Sequence, residues 1–383
     1  MLRVLRDFSF TSCQCQQADL LSNSDSMAGE QSSSDSSSYQ NEAARVSQMV
    51  VTVLIFFVGV ILNGLVVWVL GFRRARHSGA AGGETQGAGS FRIYVVNLAL
   101  ADLVLLLRTP LMLGYLAHHF SWPFGETLCQ LIMFLRCLGL YGGAFLLSAV
   151  AVERCLCLMR PVWARLRRPR WVVPIVCAVL WLIAAALSVP YISVSGLSIW
   201  QNRTQCVENA GEATTGLIVL ETTVGFLLPF VLFVSCNLVV LLGARSAERR
   251  ASTTSAPVSS PTSPNAPLYP SQKMTRLYRI LFFTMLLFLT CWVPYFICRF
   301  LKALSFGRAG WENLQYGATK GAYVSLFLVY IKSALNPILY AFAARGLRRT
   351  VRDSLFSTIE RIFNEDLSES LRRKSLRRRD SQF

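Results

Sequence analysis

Asp102, Arg108, Arg136, Glu153, Arg154, Glu221 and Lys332 all stand inside stretches otherwise made of apolar residues. A charge held in hydrocarbon costs about 2.5–3.5 kcal/mol on insertion scales, so each of them requires a reason. These residue types suit charge recognition and the exchange of ion-pair partners. Catalysis is not indicated: no nucleophile stands by a base, no cluster has metal-ligand spacing, and no glycine-rich loop could cradle phosphate. Neither a cofactor nor a metal is expected. Arg136 offers a permanently charged fork that fits a carboxylate. That carboxylate can come from a ligand, or from Glu221 inside the protein. Arg108, just ahead of Pro110, would add to a positive pocket. Lys332 lies one turn before Asn336, where it can point at Asp102 or at a neighbouring helix. Glu153 and Arg154 can pair with each other. In Asn336-Pro337-Ile338-Leu339-Tyr340 the proline frees a backbone carbonyl, so the helix can bend. Asn336 can bridge to the freed groups, and the Tyr340 hydroxyl can swing between two sets of partners. Trp292, two residues before Pro294 and one turn above Phe288, puts bulky rings beside a second kink.

The elements that must position these groups are membrane helices. Of 383 residues, 53% are hydrophobic and only 15% charged, too apolar for a soluble chain of this length. About 20 apolar residues cross the hydrocarbon core. Seven runs qualify: 49–72, 93–116, 129–159, 171–200, 214–244, 280–298 and 321–344. The fourth is overlong, so its far end must leave the bilayer. The net charge of +17 gathers between runs, which argues for membrane orientation and against nucleic acid. Arg73, Arg74 and Arg76, then Arg160 to Arg170, then Arg245 to Arg279, and finally the tail after Arg345, mark the cytosolic side. The N-terminus is then outside. The eleven cysteines show no metal-ligand spacing.

The expected organisation is a disordered outer tail over 1–46, with Met1 or Met27 as its start, and a seven-helix domain over 47–343. Residues 77–90 read as a flexible Gly/Ala insert and 245–273 as a flexible Ser/Thr/Pro loop. Residues 344–363 alternate arginine with leucine, valine and phenylalanine. They read as an amphipathic helix on the inner membrane face, against lipid headgroups. Residues 364–383 form a basic tail.

In order along the chain stand Asn63 before Gly64, Asn97-Leu98-Ala99-Leu100-Ala101-Asp102, Cys129, and Glu153-Arg154-Cys155. Trp181, Pro229, Phe288, Cys291-Trp292-Val293-Pro294 and Asn336-Pro337-Ile338-Leu339-Tyr340 follow. Over residues 49–356 the chain resembles the rhodopsin-like (class A) G-protein-coupled receptors. Ser121-Trp122-Pro123-Phe124-Gly125 and Arg160-Pro161-Val162-Trp163-Ala164 are similar to the chemoattractant branch, and the segment from Glu221 to Phe230 to leukotriene B4 receptors. The resemblance implies an all-α, seven-helix plasma-membrane receptor that is not an enzyme. It implies a heterotrimeric G protein of inhibitory type, arrestin and receptor kinases as partners, with Ser375 and Ser381 as phosphorylation sites. It also implies a Cys129–Cys206 disulfide, a glycan on Asn202 in Asn202-Arg203-Thr204, and ligand contacts at Tyr141, Glu221, Met133 and Trp292. Met133 and Arg136 depart from the leukotriene pattern. Asp102 is the acid that in this family helps hold sodium; Lys332 is expected to replace the ion, with Gly143 offering no hydroxyl. The expected ligand is an acidic lipid mediator, with a peptide or protein chemoattractant as the alternative. A retinal photoreceptor is disfavoured, since its lysine would stand at Tyr330. A transporter is disfavoured because no internal repeat is present.

Overall fold

The computed structural model describes residues 30–73, 86–159, 169–200, 202–209, 211–253 and 271–343. Each apolar run forms a helix, because lipid leaves backbone groups no partner outside the segment. The first span is α1 (Glu30–Val66), continued by a π-helical stretch Val67–Arg73. The second is α2 (Gln86–Leu106) followed by α3 (Thr109–Ala117). Pro110 lies in the first turn of α3, where its missing N–H does no harm, and the chain breaks just before it. Arg108 sits in that break. The third span is α4 (Gly125–Met159), the fourth α5 (Val172–Ser188) with a short α6 (Pro190–Val194). The fifth is α7 (Glu212–Thr222), a π-helical turn Thr223–Leu227, then α8 (Leu228–Thr253). The sixth, α9 (Ser271–Ser305), and the seventh, α10 (Glu312–Ala343), carry Pro294 and Pro337 inside them.

Among the described residues, six helices have the length and apolarity to cross a membrane, and α9 completes the bundle against α10. α4 is the central helix, packed on α2, α5 and α8; α1 touches α2 and α10, so the first and last described helices pack side by side. α2 and α4 approach closely at Gly139, where a Cβ would lie 2.4 Å from Leu105 Cγ. The core is held by Leu98, Leu105, Leu106, Leu140, Leu146 and Trp292, all nearly free of solvent.

Several expected boundaries move. α1 begins at Glu30, well before the tail boundary at 46, and its Arg45 bonds Glu42 and the Leu116 carbonyl of α3. Residues 86–90 belong to α2 rather than to a flexible insert, since glycine and alanine alone do not stop a helix whose next turns are buried. α8 runs on to Thr253 and α9 starts at Ser271, so helix takes both ends of the loop read as 245–273. The far end of the fourth run is not helical at all. β1 (Ser195–Trp200) pairs antiparallel with β2 (Arg203–Glu208), in register Leu197 with Cys206. The all-α reading therefore gains one hairpin, lying over the outer end of the bundle. The amphipathic helix 344–363 and the tail 364–383 lie outside the described residues.

Candidate functional site

The hairpin is pinned at its second strand. Cys206 is disulfide-bonded to Cys129 at the top of α4. The Trp122 N–H also donates to the Thr204 carbonyl at 2.7 Å, tying the loop before α4 to the same strand. Glu208 follows Cys206 by one side-chain repeat, so it faces inward beneath the hairpin. There it meets an outward-opening cavity of about 870 Å³, counting the part continuous with solvent. Arg108, Met112, Met133, Arg136, Glu208 and Arg299 are among the residues on its walls.

Arg136 is committed to internal carboxylates. Its Nη2 donates to Glu208 at 2.8 Å and its Nη1 to Glu221 at 3.0 Å; Nη1 also donates to the Tyr295 hydroxyl. Arg299 repeats the pattern, reaching Glu208 at 2.6 Å and Glu221 at 2.7 Å. Tyr191 and Tyr295 donate to the two Glu221 oxygens at 2.7 and 3.0 Å, and the Lys302 ammonium reaches Glu208 at 3.4 Å. Two carboxylates and two forked cations thus close a buried ring that joins the hairpin to α4, α7 and α9. Burial alone would push the Glu208 carboxyl up. The Arg299 and Arg136 guanidiniums and the Lys302 ammonium overcome it and hold Glu208 well below the usual carboxylate range. With Lys302 counted, three cations face two carboxylates, so the ring keeps one positive charge.

Arg108 is different. It is 4% exposed and lines the cavity, yet among the described residues its Nε and Nη1 have no hydrogen-bond partner. Its neighbours are the Met112 sulfur at 3.9 Å and the Tyr330 ring, 5.8 Å from centroid to guanidinium carbon. A buried guanidinium with open donors favours an incoming anion.

Below this level lies a second polar cluster. Asn336 donates to Asp102 Oδ2 at 2.6 Å, and Lys332 Nζ stands 3.8 Å from Oδ1. The same ammonium lies 5.7 Å from the Trp292 ring centroid. Asn63 donates to the Gly59 and Ser333 carbonyls at 2.9 and 3.0 Å, and Trp181 to Asn97 at 3.0 Å. At the inner end Glu153 is buried and accepts from Cys157 at 3.7 Å.

These geometries can be set beside known proteins. Residues 62–340 match the family described as 7 transmembrane receptor (rhodopsin family). The chain belongs to that family. It is 32% identical to the C5a anaphylatoxin chemotactic receptor 1 of Oncorhynchus mykiss, over 86% of each chain. It is 25% identical to a C3a anaphylatoxin chemotactic receptor of Danio rerio, over 87% of this chain and 81% of that one. With formyl peptide receptor 2 of Mus musculus it shares 28%, over 85% and 87%. This rhodopsin-family receptor is thus a multi-pass membrane protein of the G-protein-coupled class and not an enzyme.

In this receptor, Met133, Arg108 and Arg136 lie on the cavity wall, but Tyr141, Glu221 and Trp292 do not. Those three were expected as ligand contacts. Glu221 is covered by its own ring of partners. The Tyr141 ring packs on the fifth span at Gly225, where a Cβ would come within 2.9 Å of it. Trp292 is buried one level down. The side chains of Arg154, Phe288 and Tyr340, and all of Ser375 and Ser381, fall outside the described residues. Asn202 sits at the hairpin tip with φ +58°, a backbone that asparagine tolerates, and is exposed. Glu208, Arg299, Lys302, Tyr191 and Tyr295 were not singled out from sequence. A signal existed for two of them: Arg299 ends an otherwise apolar run one turn above Pro294, and Glu208 follows the disulfide cysteine.

Proposed function

We propose that the receptor takes a peptide or protein chemoattractant whose anionic group enters the outer cavity and meets Arg108. The observation that carries this reading is similarity over some 86% of each chain to an anaphylatoxin receptor, joined by formyl peptide receptors. The names of these relatives favour a peptide over the acidic lipid suggested by the leukotriene-like segment at Glu221. That segment has a structural use here, because Glu221 holds Arg136, Arg299, Tyr191 and Tyr295 together. An acidic lipid remains the second reading, favoured by Met112, Ile132, Met133 and Leu326 on the cavity wall.

In this proposal the ligand acts through α9. Tyr295 belongs to the charged ring above, and Trp292, one turn below on the same helix, stands against Lys332. Displacing the ring shifts α9 about its Pro294 break and changes the packing at Trp292. Two packings of the bundle then exchange population, and the inner face, with Arg154, opens to a G protein of inhibitory type. Phosphorylation at Ser375 and Ser381 would recruit arrestin.

The test is a panel of anaphylatoxin-derived peptides, N-formyl peptides and acidic lipids, read as a fall in cyclic AMP in cells making the receptor. Activation by a peptide is expected; activation by lipids alone overturns the peptide assignment. Arg108→Gln should weaken the active peptide by about 10–100-fold, the worth of one charge-assisted pair. The same variant should leave a C-terminally amidated peptide less affected than the free acid if the terminal carboxylate is the group bound.

A further inference from the structure

Asp102 and Lys332 are 1% and 4% exposed, deep in the bundle, with their charged atoms 3.8 Å apart. Asp102 Oδ2 accepts from Asn336, while Oδ1 faces the Lys332 ammonium as a charge, with the Ser333 hydroxyl also beside the carboxyl. An isolated carboxylate at this depth would be costly, and a family resemblance alone would supply it with a sodium ion. The residues present do not fit that ion. A positive charge already stands beside the open oxygen. A second cation brought to Oδ1 would lie within a few ångströms of the ammonium, where repulsion is screened little. Gly143 adds no ligating hydroxyl, and the Ser333 hydroxyl beside Asp102 is uncharged and does not offset the ammonium's repulsion. The ammonium also lies 5.7 Å from the Trp292 ring centroid, within cation–π range.

We propose that Lys332 is a tethered counter-ion that replaces a free monovalent cation at Asp102 and couples this carboxylate to Trp292. The resting receptor is therefore indifferent to sodium. A free ion can leave when the bundle repacks; a tethered one must move with α10, so the helix carries its own charge compensation between states. Neither the ion's exclusion nor its readout depends on which ligand fills the outer cavity.

The experiment uses the purified, ligand-free full chain in detergent. Its thermal midpoint is measured in sodium chloride and in choline chloride at equal ionic strength. The wild type is expected to melt at the same temperature in both. Lys332→Met exposes the carboxylate to solvent cations and should gain a sodium-specific rise of a few degrees, because an ion that binds only the folded state stabilises it. The double variant Asp102→Asn with Lys332→Met should lose that rise. A wild type stabilised by sodium overturns the proposal, and so does a folded Lys332→Met that ignores sodium. Should Lys332→Met fail to reach the cell surface, surface labelling of the double variant decides. Recovery in the double supports an uncompensated carboxylate as the fault, and no recovery counts against the pair.

Discussion

Arg136 has one guanidinium for two carboxylates, and Arg299 has the other. Taking away one partner of a buried pair costs about 3–5 kcal/mol, because the remaining charge is left in low dielectric. Arg136→Gln should therefore lower the thermal midpoint sharply, and adding Glu221→Gln should return part of the loss. Strictly additive losses in that double-mutant cycle would show that the two are not coupled. Glu208 sets a pH signature. Its folded carboxyl is held far below its unfolded value of about 4.3, so its stabilising effect is complete above that pH. The effect fades only as pH falls toward the depressed folded value. The gap in midpoint between wild type and Glu208→Gln should thus stay constant from pH 8 to pH 5 and shrink in stronger acid. A gap that stays constant below about pH 4 as well would place the carboxyl in an ordinary environment, with the same proton affinity folded and unfolded. Sequence marked Arg136 as a buried cation and named Glu221 as one possible partner. It could not assign Glu208, because which carboxylate reaches under a loop depends on a hairpin register that polar residues specify weakly.

Helices were legible wherever apolar runs exceeded the bilayer thickness, because spanning in lipid admits no other backbone that is closed within its own segment. Helix ends were not: stretches such as 30–46, 86–90 and 245–253 carry no hydrophobic period in the sequence, and local propensity with packing decides them. How closely helices pack is set by single residues. At Gly139 a Cβ would meet Leu105 Cγ at 2.4 Å and the Leu105 backbone nitrogen at 3.1 Å, and backbone cannot swing aside. At Gly143, one turn on, a Cβ meets nothing within 4 Å. Gly139→Val should force α2 from α4 and cost about 1–3 kcal/mol. Gly143→Ala should be neutral or slightly stabilising through helix propensity. Parallel midpoints for the two purified variants test the contrast, and equal losses would mean that α2 and α4 do not meet as described.

At the scale of the whole molecule, burial runs opposite to that of a soluble protein. Leu182 is 70% and Ile61 63% exposed, while Asp102 and Glu221 are each 1% exposed. Such a pattern is stable only if the surface around the helices meets lipid and the interior holds the polar groups that change partners. Exposure then has two meanings, and a pair of substitutions separates them. Leu182 lies near the middle of the span Val172–Val194. Ile199 is 78% exposed but belongs to β1 in the outer hairpin. Leu182→Arg should cost about 2.5–3.5 kcal/mol of insertion free energy, since the charge must enter hydrocarbon or drag water after it. Ile199→Arg, as exposed or more so, should leave insertion unchanged, because its solvent is water. Membrane-integration assays on the two variants, with surface labelling of intact cells, read the difference directly. If both arginines were tolerated alike, the apolar girdle would face water, and the polar core that moves charge between partners would have no reason to be buried.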